Sequence, residues 1–84
     1  MRVVFADRGW EDLTYWVSHD RKTATRVLRL IDDIRRHPFE GIGKPEPLKH
    51  DLSGFWSRRI TDEHRLVYAV DGAQLLIAQA RYHY

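Results

Sequence analysis

The chain has 84 residues, no cysteine, and 14 Lys and Arg against 12 Asp and Glu. A chain of this length makes one domain, here residues 1–84, with a modest core that is most simply built as one layer of helix on one small sheet. The lack of thiols excludes a disulfide framework and a thiolate metal site, and with no bilayer-length apolar run and no secretory leader pattern the expectation is a soluble, cytoplasmic protein without a membrane partner.

Arg2-Val3-Val4-Phe5-Ala6 is a β-branched and aromatic run that predicts a first strand. Asp7 is suited to cap a helix through Trp10, Leu13, Trp16 and Val17, whose three-and-four spacing makes one apolar stripe, with both tryptophans expected in the core. Ser18-His19-Asp20 breaks that pattern, and Asp20 is a natural cap for a second helix with the stripe Ala24, Val27, Leu28, Ile31 and Ile34. This helix must stop near Arg36 or His37, because Pro38 disfavours helical geometry in the residue before it. His19 and His37 fall at its ends, where solvent exposure or capping accounts for them, and no histidine spacing suggests a metal site.

Periodicity vanishes from Phe39 to Leu52, and Gly41-Ile42-Gly43-Lys44-Pro45-Glu46-Pro47 predicts a loop of restricted freedom around Glu46. A carboxylate fixed between two prolines suits a functional loop, although a rigid exposed loop also arises without function. Phe55–Ile60, His64–Val70 and Ala73 to about Tyr82 are strand candidates, separated by Asp62-Glu63 and by the hairpin signal Asp71-Gly72. The predicted fold is α+β in the order β-α-α-β-β-β, a small, antiparallel-rich twisted sheet with both helices on one face. With a two-residue Asp71-Gly72 turn, Val70 pairs with Ala73 and Arg65 lies opposite Ala78, while His83 has the parity of Leu75 and Ile77 on the other face. A bulge, or a chain end that leaves the sheet, would be needed to bring Arg65 and His83 together.

Overall charge names no partner, since bases exceed acids by one both before Gly41 and from it onward. Position is more informative: Arg58, Arg59, Arg65 and Arg81 fall in expected strands and Asp51, Asp62, Glu63 and Asp71 at expected turns. A basic sheet surface that attracts phosphate is one outcome, and a plain solvated strand face is the other.

Glu46 and Lys49 on the loop, Arg59 and Arg65 on strands, and His83 near the end supply the groups that internal RNA cleavage asks for. A base must take the 2′-hydroxyl proton, cations must hold the phosphorane, and an acid must protonate the departing 5′-oxygen; no metal or cofactor is required. Histidine, with an unperturbed pKa of about 6.5, suits the acid role, whereas glutamate at about 4.3 is a weak base unless its surroundings raise it. Taken singly, His83 reads equally as a surface histidine, Arg65 as a strand-end cation, and Tyr82 or Tyr84 as a packing aromatic rather than a platform for a base.

The run Gly43-Lys44-Pro45-Glu46-Pro47-Leu48-Lys49-His50, continued by Leu52-Ser53-Gly54-Phe55-Trp56-Ser57-Arg58-Arg59-Ile60 and Glu63-His64-Arg65-Leu66-Val67-Tyr68 and ended by Arg81-Tyr82-His83-Tyr84, resembles the YoeB family of bacterial toxins in the RelE superfamily. The likeness covers the chain from Pro38 onward, and Trp10-Glu11-Asp12 and Trp16 extend it forward without carrying residue roles. It implies a microbial-RNase-like sheet with an open catalytic face, and an endoribonuclease that enters the ribosomal A site and cuts mRNA until a cognate, YefM-like antitoxin wraps it. On the matching positions it implies Glu46 as general base, His83 as general acid, Arg65 as the phosphate-stabilising cation, Lys49 and Arg59 as supporting cations, and Tyr84 as the residue that positions the scissile nucleotide. It further implies a homodimer, and operator DNA reached indirectly through the antitoxin. Asp51 departs from the pattern by adding a negative charge beside Lys49 and His50, for which a tuning effect is expected. The alternative is a non-catalytic module of the same fold that occupies ribosomes or RNA without cutting, or a structural role within an antitoxin complex.

Overall fold

A computed structural model describes residues 1–82 of the chain. The order is β1 (Arg2–Phe5), α1 (Asp7–His19), α2 (Arg21–Arg36), β2 (Glu46–Pro47), a single 3-10 turn (His50–Leu52), β3 (Trp56–Arg59), β4 (Arg65–Asp71) and β5 (Gln74–Gln79). The five strands form one sheet in the order β1-β5-β4-β3-β2, parallel only between β1 and β5. The two helices carry the chain from β1 to β2 at the opposite edge, and β3 and β4 bring it back to β5, so the parallel pair is joined by the long connection it needs.

The α+β arrangement is as predicted, with one strand more. Within the segment expected to be irregular, Glu46-Pro47 pairs with Ser57 and Trp56 as a short edge strand. An edge tolerates proline because no further strand needs its missing N–H.

Asp20 caps α2 as expected, accepting from the Thr23 amide at 3.1 Å and the Thr23 hydroxyl at 2.8 Å. Those bonds hold the Asp20 carboxyl below its ordinary range. Asp7, by contrast, is the first residue inside α1, and Ala6 occupies the cap position with no side-chain bond. Pro38 ends α2 where predicted, with His37 as the C-cap.

The core lies between the helices and one face of the sheet. Leu13 and Trp16 of α1 and Ala24, Val27, Leu30, Ile31 and Ile34 of α2 pack with Leu66, Tyr68, Leu75 and Ile77. Four assignments of the helical stripes change: Trp10, Val17 and Leu28 are about half exposed, and Leu30, left out of the predicted stripe, is fully buried. The sheet accepts only a narrow sector of each helix; Trp10 instead rests edge-on against Phe5, with ring centroids 5.6 Å apart. At Gly9 a Cβ would collide with the Ile77 carbonyl oxygen, so this glycine sets how closely α1 approaches β5.

The β4-β5 hairpin turns one residue later than predicted, pairing Asp71 with Gln74 and Val70 with Leu75. Gly72 takes φ 59°, so the residue able to adopt a left-handed conformation occupies the first turn position and Asp71 is drawn into the strand. Arg65 is consequently not opposite Ala78, because a bulge interrupts the ladder between Val67, paired with Gln79, and Tyr68, paired with Ile77. The uninterrupted alternation from which the parity of His83 was inferred therefore fails at this bulge, and His83 itself lies outside the described residues.

One buried cation ties the layers together. Arg58 is fully buried and uses every guanidinium N–H: Nη1 donates to Asp33 Oδ2 at 2.6 Å and the Ile42 carbonyl at 3.1 Å, Nη2 to the carbonyls of His37 at 2.6 Å and Glu40 at 2.8 Å, and Nε to the Tyr68 hydroxyl at 3.3 Å. Tyr68 in turn donates to the Pro38 carbonyl at 2.7 Å. The sequence placed Arg58 on an exposed strand face, either a basic surface or a plain solvated one; it is instead the polar centre of the core side, joining α2, the 37–42 loop, β3 and β4. Gly41, at φ 120°, is needed here because a Cβ would strike the Asp33 carboxylate.

Hydrogen bonding from Arg58 holds the Asp33 carboxyl below its ordinary range, whereas burial raises that of the Tyr68 hydroxyl. A depressed carboxyl contributes stability above its unfolded value of about 3.9 and loses it as pH falls through the lower folded value. Urea titrations from neutral pH to about pH 2 should therefore show stability falling below about pH 4, with a smaller fall in Asp33→Asn, which is also the less stable protein at neutral pH. Arg58→Ala should cost about 3–5 kcal/mol in the same assay, since it orphans a partly buried carboxylate and three carbonyls. Arg58→Lys, with fewer donors, should recover only part of the loss.

Candidate active site

Because strand residues alternate sides, the consecutive arginines of β3 diverge: Arg58 enters the core and Arg59 is exposed. Arg59 pairs with Arg65, and Ser57 pairs with both Glu46 and Val67. Directly paired residues share a face. Glu46, Ser57, Val67 and Gln79 thus form a row across β2 to β5, and Arg59 and Arg65 begin the next row on the same side, away from the helices. The backbones of Glu46 and Arg65 are two strand spacings apart, about 10 Å, with an offset along the strands of about 7 Å. A carboxylate and a guanidinium at that separation can bracket one small anionic group.

Arg65 is prepared by the loop before it. Its Nη1 donates to the carbonyls of Thr61 at 2.7 Å, Asp62 at 3.2 Å and His64 at 3.1 Å. The loop is itself shaped by the Thr61 hydroxyl, which accepts the Glu63 and His64 amides at 3.2 Å each. Among the described residues, Nε and Nη2 of Arg65 have no hydrogen-bond partner. One edge of the guanidinium is anchored and the other is available to an anion, which is how arginine presents a fork to phosphate.

Lys49 is exposed and caps the 3-10 turn just after β2, so it follows Glu46 out of the sheet rather than lying in the rows. His83 and Tyr84, expected as acid and positioning residue, lie outside the described residues. Arg81 is neither in a strand nor on the sheet surface: β5 ends at Gln79, and the Arg81 guanidinium lies 3.5 Å from the centre of the Tyr15 ring on α1. Among the described residues no group of three or more His, Asp or Glu could hold a metal ion.

The structure adds anchors that the sequence did not disclose. The Ala80 peptide is buried and gripped on both sides by α1: Trp16 Nε1 donates to its carbonyl at 2.8 Å, and its amide donates to Asp12 Oδ2 at 2.9 Å. Asp12 and Trp16 are four residues apart, hence neighbours on one helix face. A carboxylate beside the buried Leu13 and Trp16 was the available signal, because a buried acid needs a partner. Tyr82 is held next, its amide donating to His64 Nδ1 at 2.7 Å and its carbonyl accepting from the Arg65 amide at 3.0 Å.

A five-stranded mixed sheet with two helices on one face and a carboxylate-guanidinium set on the other defines a small, open-faced α+β protein. The profile of the YoeB-like toxin of bacterial type II toxin-antitoxin system matches residues 5–84. Toxin YoeB of Streptomyces coelicolor is 62% identical over 84 residues, covering 100% of both chains. Among solved structures, a YoeB/ParE toxin from Agrobacterium tumefaciens superposes with a TM-score of 0.97 at 45% identity, over 100% of both chains. YoeB of Staphylococcus aureus superposes over 100% of this chain and 98% of its own, with TM-scores of 0.92 in its complex with YefM (42% identity) and 0.93 as a dimer (44% identity). This chain belongs to the YoeB toxin family of type II toxin-antitoxin systems.

Trp16→Phe keeps the ring in the core but leaves the buried Ala80 carbonyl without its donor. The expected loss is about 1–3 kcal/mol in denaturant unfolding, and a variant as stable as the parent would show that the carbonyl finds another partner.

Proposed function

We propose that this toxin is an endoribonuclease that inhibits translation by cutting mRNA in the ribosomal A site. The observation that carries the reading is the clustering of Glu46, Arg59 and Arg65 on the sheet face the helices leave open. In the proposed reaction Glu46 takes the proton of a 2′-hydroxyl, and the resulting oxygen attacks the adjacent phosphorus. Arg65, supported by Arg59 and Lys49, holds the charge that builds on the phosphorane. The bond to the 5′-oxygen then breaks, His83 donates the proton that leaves with it, and the products are a 2′,3′-cyclic phosphate and a 5′-hydroxyl. Tyr84 positions the scissile nucleotide. The ribosome would supply much of the binding surface, which suits a chain of net charge only +2.

The same reading makes a YefM-like antitoxin the inhibitory partner, with a homodimer as a further assembly, in keeping with the staphylococcal relatives solved with YefM and as a dimer. The action is placed in the cytoplasm, where ribosomes are, and operator DNA is reached through the antitoxin.

Brief induction followed by mapping of mRNA 5′ ends should show new ends on ribosome-bound message and far fewer on naked message. Glu46→Gln and His83→Ala should each abolish the ends and the growth arrest, with a loss of at least about 100-fold per group. Arrest that persists in both variants without new ends would identify a protein that occludes the ribosome instead of cutting.

A further inference from the structure

Tyr82 has φ 62°, a left-handed conformation that is uncommon for an aromatic residue and persists only where its surroundings impose it. The imposing groups lie on both sides. Asp12 and Trp16 hold the peptide two residues earlier, and the dipeptide His64-Arg65 holds Tyr82 itself. The His64 ring is fixed in turn: it stands edge-on to Trp16 with centroids 4.8 Å apart, lies 5.3 Å from the Tyr82 ring, and its backbone carbonyl receives the Ile60 amide at 3.0 Å and Arg65 Nη1 at 3.1 Å. With Nδ1 accepting from the Tyr82 amide, the ring proton resides on Nε2. One short segment therefore displays the Arg65 guanidinium and grips the last described residue of the chain.

We propose that His64 is a positioning residue: by accepting the Tyr82 amide at Nδ1 it holds Tyr82 in its left-handed conformation and sets the spacing between Arg65 and the Tyr82 backbone. Its consequence for cleavage rests on the ribonuclease reading above, whereas the anchor itself does not. The physical reason to expect a kinetic effect is that reacting groups displaced by about 1 Å lose on the order of 100-fold in rate.

Two variants separate the acceptor from the ring. His64→Asn places Oδ1 where Nδ1 was, and His64→Phe keeps the ring against Trp16 but removes the acceptor. Amide hydrogen exchange at Tyr82 in the isolated protein should quicken by at least about 10-fold in His64→Phe and by less than about 3-fold in His64→Asn. Single-turnover cleavage on saturating programmed ribosomes should slow by about 10- to 100-fold in His64→Phe with ribosome affinity unchanged, and His64→Asn should restore it to within about 3-fold of the parent. Unaltered Tyr82 exchange in His64→Phe overturns the proposal, as does equal loss of cleavage in both variants. If His64→Phe does not fold, His64→Asn decides alone, and loss of either Tyr82 protection or cleavage overturns the proposal. A parent chain that cuts nothing defeats the ribonuclease reading, and the exchange measurement then judges the anchor by itself.

Discussion

The guanidinium of Arg58 is the constraint on which the rest of the molecule depends. A buried cation is tolerable only when its charge is paired and its donors are met. Here one carboxylate, three backbone carbonyls and one hydroxyl meet them all. Those acceptors come from the last turns of α2, from the 37–42 segment and from β4, so satisfying one side chain fixes how the helix layer, the connection and the sheet are placed. The connection has no regular structure of its own to hold it. Its carbonyls are organised by an arginine from outside, and Glu46 follows a few residues on, entering the sheet at its edge opposite Ser57.

The same strand that buries one arginine exposes the next. This two-sidedness separates stability from activity: the Arg58 side is committed to packing, and the Arg59 side remains available to a ligand. A short chain that must build a core and also keep one sheet face open gains from drawing both roles out of adjacent positions. The bulge between Val67 and Tyr68 serves the same division. It lets β5 keep Leu75 and Ile77 in the core while the chain beyond Gln79 is redirected toward α1, where Asp12 and Trp16 take hold of Ala80.

Backbone that runs on past the last strand of a sheet is entropically costly to order, because no ladder holds it. The contacts at Ala80 and Tyr82 offset that cost for the segment beyond Gln79. They come from two elements, a helix face and a strand end, that are distant in sequence and that meet in the contact of Trp16 with His64. The strained backbone of Tyr82 is the trace this arrangement leaves in the geometry.

Much of this was legible in the order of residues. Local chemistry determined the Asp20 cap, the stop before Pro38, the strand runs, the turns at glycine and the α+β class, and the motif from Gly43 through Tyr68 with the final Arg-Tyr-His-Tyr pointed to the toxin family. Only the tertiary structure decided that Arg58 goes inward and Arg59 outward, that Trp10 stays at the surface while Leu30 is buried, that Glu46 joins the sheet, and that the hairpin shifts and bulges. The reason is physical: caps, breakers and periodicity act between residues a few positions apart, so sequence displays them directly. Which face of a strand is buried, and which arginine finds enough acceptors to survive burial, depends on groups brought together from α2, the connecting segment and β4, and that meeting exists only once the chain has folded.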